Sequence, residues 1–124
     1  MAQKLTISEI HPAPEKKHIN QEWITLHNEG DAAVNTEGCS VTVGKGGPSR
    51  PRLITKLKAG LILQPGEKAR LITGSASKKS QGVPPEEGDI RNMHLFQKVG
   101  YLDRKGLTIR LVRGQLEICK TKYE

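Results

Sequence analysis

Four histidines (His11, His18, His27 and His94), two cysteines and the carboxylates are the groups in this chain that could ligate a metal or move a proton. Their spacing points to neither. There is no HExxH run and no Cys/His cluster, so a metal site would have to be assembled by folding from scattered residues. Cys39 and Cys119 belong to no CxxC pair. They read as free thiols, at least one buried as a small hydrophobe, and could bridge only if the strands carrying them were neighbours. The serines lack a G-x-S-x-G elbow. GKGGPSRPR (44–52) lacks the GxxxxGK-Ser/Thr spacing that cradles phosphates. Glu86 and Glu87 sit together in a loop where nothing would desolvate them, and a shifted carboxyl pKa needs burial or a rigidly held neighbouring charge. No catalytic residue, metal ligand or cofactor is therefore assigned, and the chain reads as a non-enzyme.

Charge offers a different chemistry. The formal net charge is +7 and is unevenly spread. Residues 1–37 hold six acids against three bases, residues 38–66 five bases and no acid, and residues 98–122 seven bases against two acids. Arg50, Arg52, Lys56 and Lys58 in one basic stretch, with Arg104, Lys105, Arg110 and Arg113 in the other, are the candidates for binding nucleic acid or another anionic polymer or surface. Such contacts give affinity without sequence reading and weaken steeply with salt. Trp23, Phe96, Tyr101 and Tyr123 are too few for a base-stacking platform, and no helical periodicity supplies a recognition helix. The competing reading of the same charge is a solvated surface that keeps the domain in solution.

Short strands must position these groups. LTISEI (5–10) reads as a strand with Leu5 and Ile7 on one face, and HPAPEKKHINQ (11–21) as a polar connection. In EWITLHN (22–28), Ile24 and Leu26 share one face, Trp23, Thr25 and His27 the other, and Asn28 and Gly30 end the run. Glu22 is expected to accept loop N–H groups or to pair with a cation. Trp23 is expected under a loop, its indole N–H on a carbonyl, the alternative being an exposed binding hot spot. Alternation continues over residues 34–43, with a bulge or bend at Gly38. LITKL (53–57), LIL (61–63), ARLIT (69–73), MHLFQ (93–97), LTIRLV (107–112) and QLEICKTK (115–122) follow. A turn at Pro65 and Gly66 precedes ARLIT, and Arg113-Gly114 joins the last two strands. The loop 75–89 is the best candidate for touching a partner, with a tolerated flexible insertion as the equal alternative. Lys120 and Lys122 are placed to protect an exposed edge. About eight strands in 124 residues give a single domain over residues 1–124, large enough for its own core, built as an all-β antiparallel sandwich or barrel.

These residues resemble a known family. Ile7, Glu9 and Ile10, then Glu22, Trp23, Ile24, Leu26, Asn28 and Gly30, are similar to the opening of the lamin tail domain. That family is the immunoglobulin-like sandwich at the carboxyl end of nuclear lamins, and it also occurs in many bacterial proteins. Leu63 to Glu67, with Pro65 and Gly66, resembles its turn before a strand. Tyr101 to Gly106 leading into 107–112 resembles its final hairpin, with Asp103 where Asn is common. CSVTV (39–43) departs from the aromatic-bearing strand usual there. The resemblance implies an immunoglobulin-like β-sandwich of roughly seven to nine strands. It also implies a non-catalytic interaction module with no catalytic residues to carry over.

The function expected is therefore binding: to another protein, or to a second copy as a homo-oligomer. The alternative is nonspecific electrostatic binding through the basic residues named above. No small-molecule substrate is inferred. MAQKLTISEI lacks an apolar signal region, and no run approaches the roughly 20 apolar residues of a membrane helix. A cytoplasmic location is expected, or an extracellular one if the chain is excised from a larger secreted protein.

Overall fold

Period-two alternation gives each strand one apolar face, and two such faces closed over each other make the core. The computed structural model describes residues 4–44, 51–57, 61–75, 79–84, 89–98, 100–102, 105–114 and 116–123. In chain order its strands are β1 (Leu5–His11), β2 (Trp23–Asn28), β3 (Val34–Asn35), β4 (Ser40–Gly44), β5 (Arg52–Lys56), β6 (Ile62–Leu63), β7 (Lys68–Ile72), β8 (Ile90–His94), β9 (Thr108–Arg113) and β10 (Leu116–Lys122). The protein is all-β. One four-stranded sheet has the order β1-β2-β7-β8 and a second the order β10-β9-β4-β5, while β3 and β6 form a small third pair.

Register explains the core. Ile7 pairs with Leu26 and Leu26 with Ala69, while Ile24 pairs with Leu71, so the inner face of the first sheet is aliphatic. Across the core, Val41 pairs with Leu111 and Val43 with Ile109. Ile24, Leu26, Leu71, Val41, Ile109 and Leu111 are fully buried. Burying each such side chain contributes on the order of 1.5–3 kcal/mol. Val34, paired with Leu63, joins the same core from the third pair, and Tyr101 and Leu102 join it from the segment before β9.

The structure departs from the strand reading at several points. Among the described residues there are ten strands rather than about eight, because the stretch 34–43 divides at Gly38 (φ 81°) and its halves enter different sheets. The eighth strand spans Ile90–His94, earlier than 93–97, and Leu95 to Gln97 leave the sheet. It also runs parallel to β7, whereas every other pair among the described residues is antiparallel. A tight hairpin can join only antiparallel strands, and the long stretch between β7 and β8 is what permits the parallel pairing. The final hairpin turns one residue later than expected, since Arg113 pairs with Leu116. The connection 11–21 is not purely polar: a 3-10 turn at Ile19–Gln21 buries Ile19 and Asn20.

Strand order decides which edges are open. At one margin β1 packs beside β10. At the other, the outermost strands are β5 and β8, and a groove lies between them.

Candidate functional site

The EWITLHNEG stretch is a set of internal locks. Glu22 is almost fully buried (3 % exposed) and accepts from Thr73 Oγ1 (2.7 Å), the Tyr101 N–H (3.0 Å) and the Leu102 N–H (3.4 Å). It thereby pins the end of β7 and the segment before β9 to the start of β2. Asn28 donates from Nδ2 to the carbonyls of Ala32 (2.9 Å) and Leu63 (2.8 Å), and its Oδ1 accepts the Gly30 N–H (3.0 Å). The Pro65–Gly66 turn closes on the same residue: the Gly66 N–H donates to the Asn28 carbonyl at 2.8 Å, with Gly66 at φ 85°. Gly106, at φ 92°, makes the corresponding turn before β9, its N–H on the Tyr123 carbonyl.

On the outer face of the first sheet, Trp23 organises a polar cluster. Its indole N–H donates to Glu9 Oε1 at 3.0 Å, a carboxylate rather than the backbone carbonyl the sequence suggested, and Thr25 Oγ1 donates to the same oxygen at 2.8 Å. The His11 ring stacks on Trp23 at 3.8 Å, and the Arg70 guanidinium lies 5.4 Å from the indole centroid. The bond from Trp23, helped by Thr25 and by the neighbouring His11 and Arg70, holds the Glu9 carboxyl below its ordinary pKa against the opposing effect of burial. His11, Trp23 and Val83 border a hollow of about 280 Å³ here.

The open margin has a different character. Lys56 and Leu57 on one side, and Met93, Leu95 and Phe96 on the other, bound a groove of about 530 Å³. It continues past Phe96 into a second hollow of about 460 Å³ bordered by Arg52, Ile54, Lys98 and Tyr101. Phe96 stands between the two, 70 % exposed, and is the one non-glycine residue with positive φ (56°) among those described. Three successive N–H groups explain how it is held there: Leu95, Phe96 and Gln97 donate to the carbonyls of Ile72, Gly74 and Thr73 at 2.7, 3.2 and 2.8 Å. With its backbone fixed on both sides, the residue is kept in a conformation that non-glycine side chains avoid. Leu53, on the exposed edge strand, is 59 % exposed.

Residues 1–123 match the family model described as Lamin Tail Domain. The chain belongs to that family. The resemblance carried by the Glu22–Gly30 stretch extends over the matched length, and the lamin tail domain is an immunoglobulin-like, non-enzymatic fold. No curated protein matches the chain.

Within this lamin tail domain the structure places five of the eight basic candidates: Arg52, Lys56, Lys105, Arg110 and Arg113. Arg50, Lys58 and Arg104 lie outside the described residues. Lys56 pairs with Ser40 and Arg110 with Thr42, which places both on the outer face of the second sheet, where Lys120 and Lys122 also stand. Arg110 is engaged by Glu117 at 3.1 Å. Arg113 donates to the Asn35 carbonyl, Lys105 lies in the turn before β9, and Arg52 borders the groove. Glu22, His27 and His94 do not meet in a cleft: Glu22 is sealed under residues 101 and 102, His27 pairs with Lys68, and His94 contacts the Gly74 carbonyl. Among the described residues, no three His, Cys, Asp or Glu side chains gather to hold a metal, and no helix is long and apolar enough to cross a membrane.

Phe96, Leu53 and Lys98 were not singled out by the sequence. The only local signal was an apolar pair, Leu95-Phe96, at the end of a strand. The loop 75–89, by contrast, was singled out, and its described part is tethered: Asn20 Nδ2 donates to the carbonyls of Ser75 (2.8 Å) and Gly82 (3.2 Å), and the Ser75 N–H to Gln81 Oε1 (2.7 Å).

Proposed function

We propose that this lamin tail domain is a non-catalytic binding module that holds another protein through the open margin of its sandwich. The observation that carries the reading is Phe96, an exposed aromatic ring held at positive φ between two hollows. Strained, over-determined backbone concentrates at functional positions, and aromatic anchors dominate binding energy where they fill a partner. The most recognisable polar residues, Glu22 and Asn28, are consumed in holding the fold, which leaves outer surfaces for function.

The test is a photo-crosslinking residue in place of Leu53 at the open margin, compared with the same residue in place of Leu116. Leu116 is equally exposed (64 %) but lies on β10, at the far edge of the second sheet. A protein adduct identified by mass spectrometry from position 53 and absent from position 116 is the expected result. Adducts from both positions alike, or from neither, contradict it.

A second reading rests on the outer face of the second sheet, where Lys56, Arg110, Lys120 and Lys122 stand with Glu117. This face would bind an anionic polymer through backbone phosphates or sulfates. Retention on heparin or duplex DNA at low salt, lost steeply toward physiological salt and weakened by Arg110→Ala with Lys120→Ala, would favour it. No retention at low salt removes it.

A further inference from the structure

Resting on the reading of this domain as an interaction module, we propose that the groove between β5 and β8 docks an extended protein segment with acidic residues on either side of an aliphatic side chain. Three features of the groove define that occupant. First, among the described residues β5 is the terminal strand of its sheet, and a terminal strand keeps a row of backbone N–H and C=O groups directed away from its own sheet, ready to pair with an added strand. Five residues of β5 offer an edge about 17 Å long, which suits a segment of five to ten residues. Second, Leu57, Met93, Leu95 and Ile54 border an apolar interior, with Phe96 projecting between its two compartments. An aliphatic side chain from the segment would lie against that ring. Third, the charged side chains bordering the two compartments are Arg52, Lys56 and Lys98, and no carboxylate is among the described lining residues. Among the described lining residues, acidic groups of the partner therefore meet cations and no carboxylate, an arrangement that steers encounter and sets orientation.

The same features disfavour other occupants. Two copies joined symmetrically edge to edge through β5 would set Arg52 and Lys56 of one against Lys56 and Arg52 of the other, and like charges facing across a strand pair are destabilising. A nucleic acid would find phosphate partners in the three cations, but for its bases only one exposed ring, and single-strand binding relies on successive aromatic platforms.

The test is a titration of the whole chain, labelled with nitrogen-15, by four probes. They are a capped peptide of about ten residues with Asp and Glu flanking a Val-Leu-Val centre, the same peptide with Lys for the acids, the acidic peptide with a Ser centre, and single-stranded oligothymidylate. The acidic aliphatic peptide is expected to bind at micromolar strength, with amide shifts confined to residues 52–57 and 93–98. Either altered peptide should bind at least about tenfold more weakly. Arg52→Glu combined with Lys98→Glu should reverse the preference toward the Lys peptide. Phe96→Asn, whose side chain tolerates positive φ, should keep the fold while weakening the acidic peptide about tenfold. Equal binding of the acidic and basic peptides overturns the inference. So do shifts elsewhere on the domain, oligothymidylate occupying the groove more tightly than the peptide, or self-association that protects the same amides. A protein adduct from position 53 with no acidic-peptide binding ends this inference and leaves the interaction-module reading standing, whereas loss of both ends both.

Discussion

Gly100 lies so close to the Glu22 carboxylate that a Cβ at that position would stand 2.5 Å from Oε2. The backbone approaches a buried charge here because the N–H groups of the next two residues, Tyr101 and Leu102, are bonded to it. Sequence positions 22 and 101 are thereby joined through one carboxylate, which fastens the start of β2 to the approach to β9.

That relationship predicts a non-additive pair of substitutions. Glu22→Ala leaves the Thr73 hydroxyl and two buried N–H groups without their acceptor, and should cost about 3–5 kcal/mol. Gly100→Ala alone should cost about 1–3 kcal/mol, because the Glu22 carboxylate that must yield is buried and held by three hydrogen bonds. In the double variant the oxygen that clashes with the new Cβ is absent, so the second substitution should add far less than it costs alone. Urea unfolding of all four proteins gives the coupling. Additive values would show that Glu22 and Gly100 do not share this contact.

Tyr101 is buried in the same corner, and its hydroxyl has no hydrogen-bond partner among the described residues. Burial, and secondarily the charge of Glu22, raise its pKa far above the usual phenol value. Because the folded-state value exceeds the unfolded one, the protonated phenol contributes stability that is complete below about pH 10 and is lost as pH climbs beyond it. Tyr101→Phe removes the orphaned hydroxyl while keeping the ring. It should leave stability at neutral pH unchanged or raise it by about 1 kcal/mol, and should reduce the loss on going above pH 10. Thermal unfolding across that range checks both, and a variant destabilised at pH 7 would contradict them.

How much of this was legible in the sequence follows from the range of each interaction. Alternation is a local property, so Leu5 with Ile7, and Ile24 with Leu26, read directly as sharing one face, and the Pro65–Gly66 turn carried its own signature. Glu22 read as either an acceptor of loop N–H groups or the partner of a cation, and its partners at 73, 101 and 102 are nonlocal and left no mark near it. The groove was invisible for a stronger reason. It exists because β5 and β8 end their sheets on the same margin, and strand order is set by the whole topology. The parallel β7–β8 pairing is of the same kind. Phe96 looked like one more strand residue. Only the three N–H groups fixed on 72–74 turn it outward.

The Trp23 cluster predicts an acid response. Glu9 accepts from both Trp23 and Thr25, and its carboxyl titrates below the ordinary value of 4.5. A depressed folded-state pKa means that its stabilising contribution is present above the unfolded value and is lost as pH falls through the folded one. Emission from Trp23, the only tryptophan, should therefore change below pH 4.5, before or together with unfolding. In Glu9→Gln that acid step should vanish, and the indole should remain bonded to the amide oxygen. An identical acid profile in both proteins would place the titrating group elsewhere.

The thiols give the last prediction. Cys39 immediately precedes β4 and Cys119 lies on β10, with β9 between the two strands. Two strand spacings are roughly 10 Å, beyond the Cα separation of about 7 Å that a disulfide can span, so both remain free thiols. Cys39 is buried, and burial, with the nearby Cys39 and Glu117, pushes the Cys119 pKa up to about 11. At pH 8 only about a thousandth of Cys119 is then thiolate, the nucleophilic form. An aromatic disulfide reagent should accordingly react far more slowly with the folded protein than with a free thiol of ordinary pKa. Both cysteines should react at once in denaturant. Oxidation without denaturant should yield no intramolecular bridge detectable by mass. Rapid release of one equivalent from the native protein would show that β10 opens at this edge, in which case Lys120 and Lys122 guard a strand that detaches from β9.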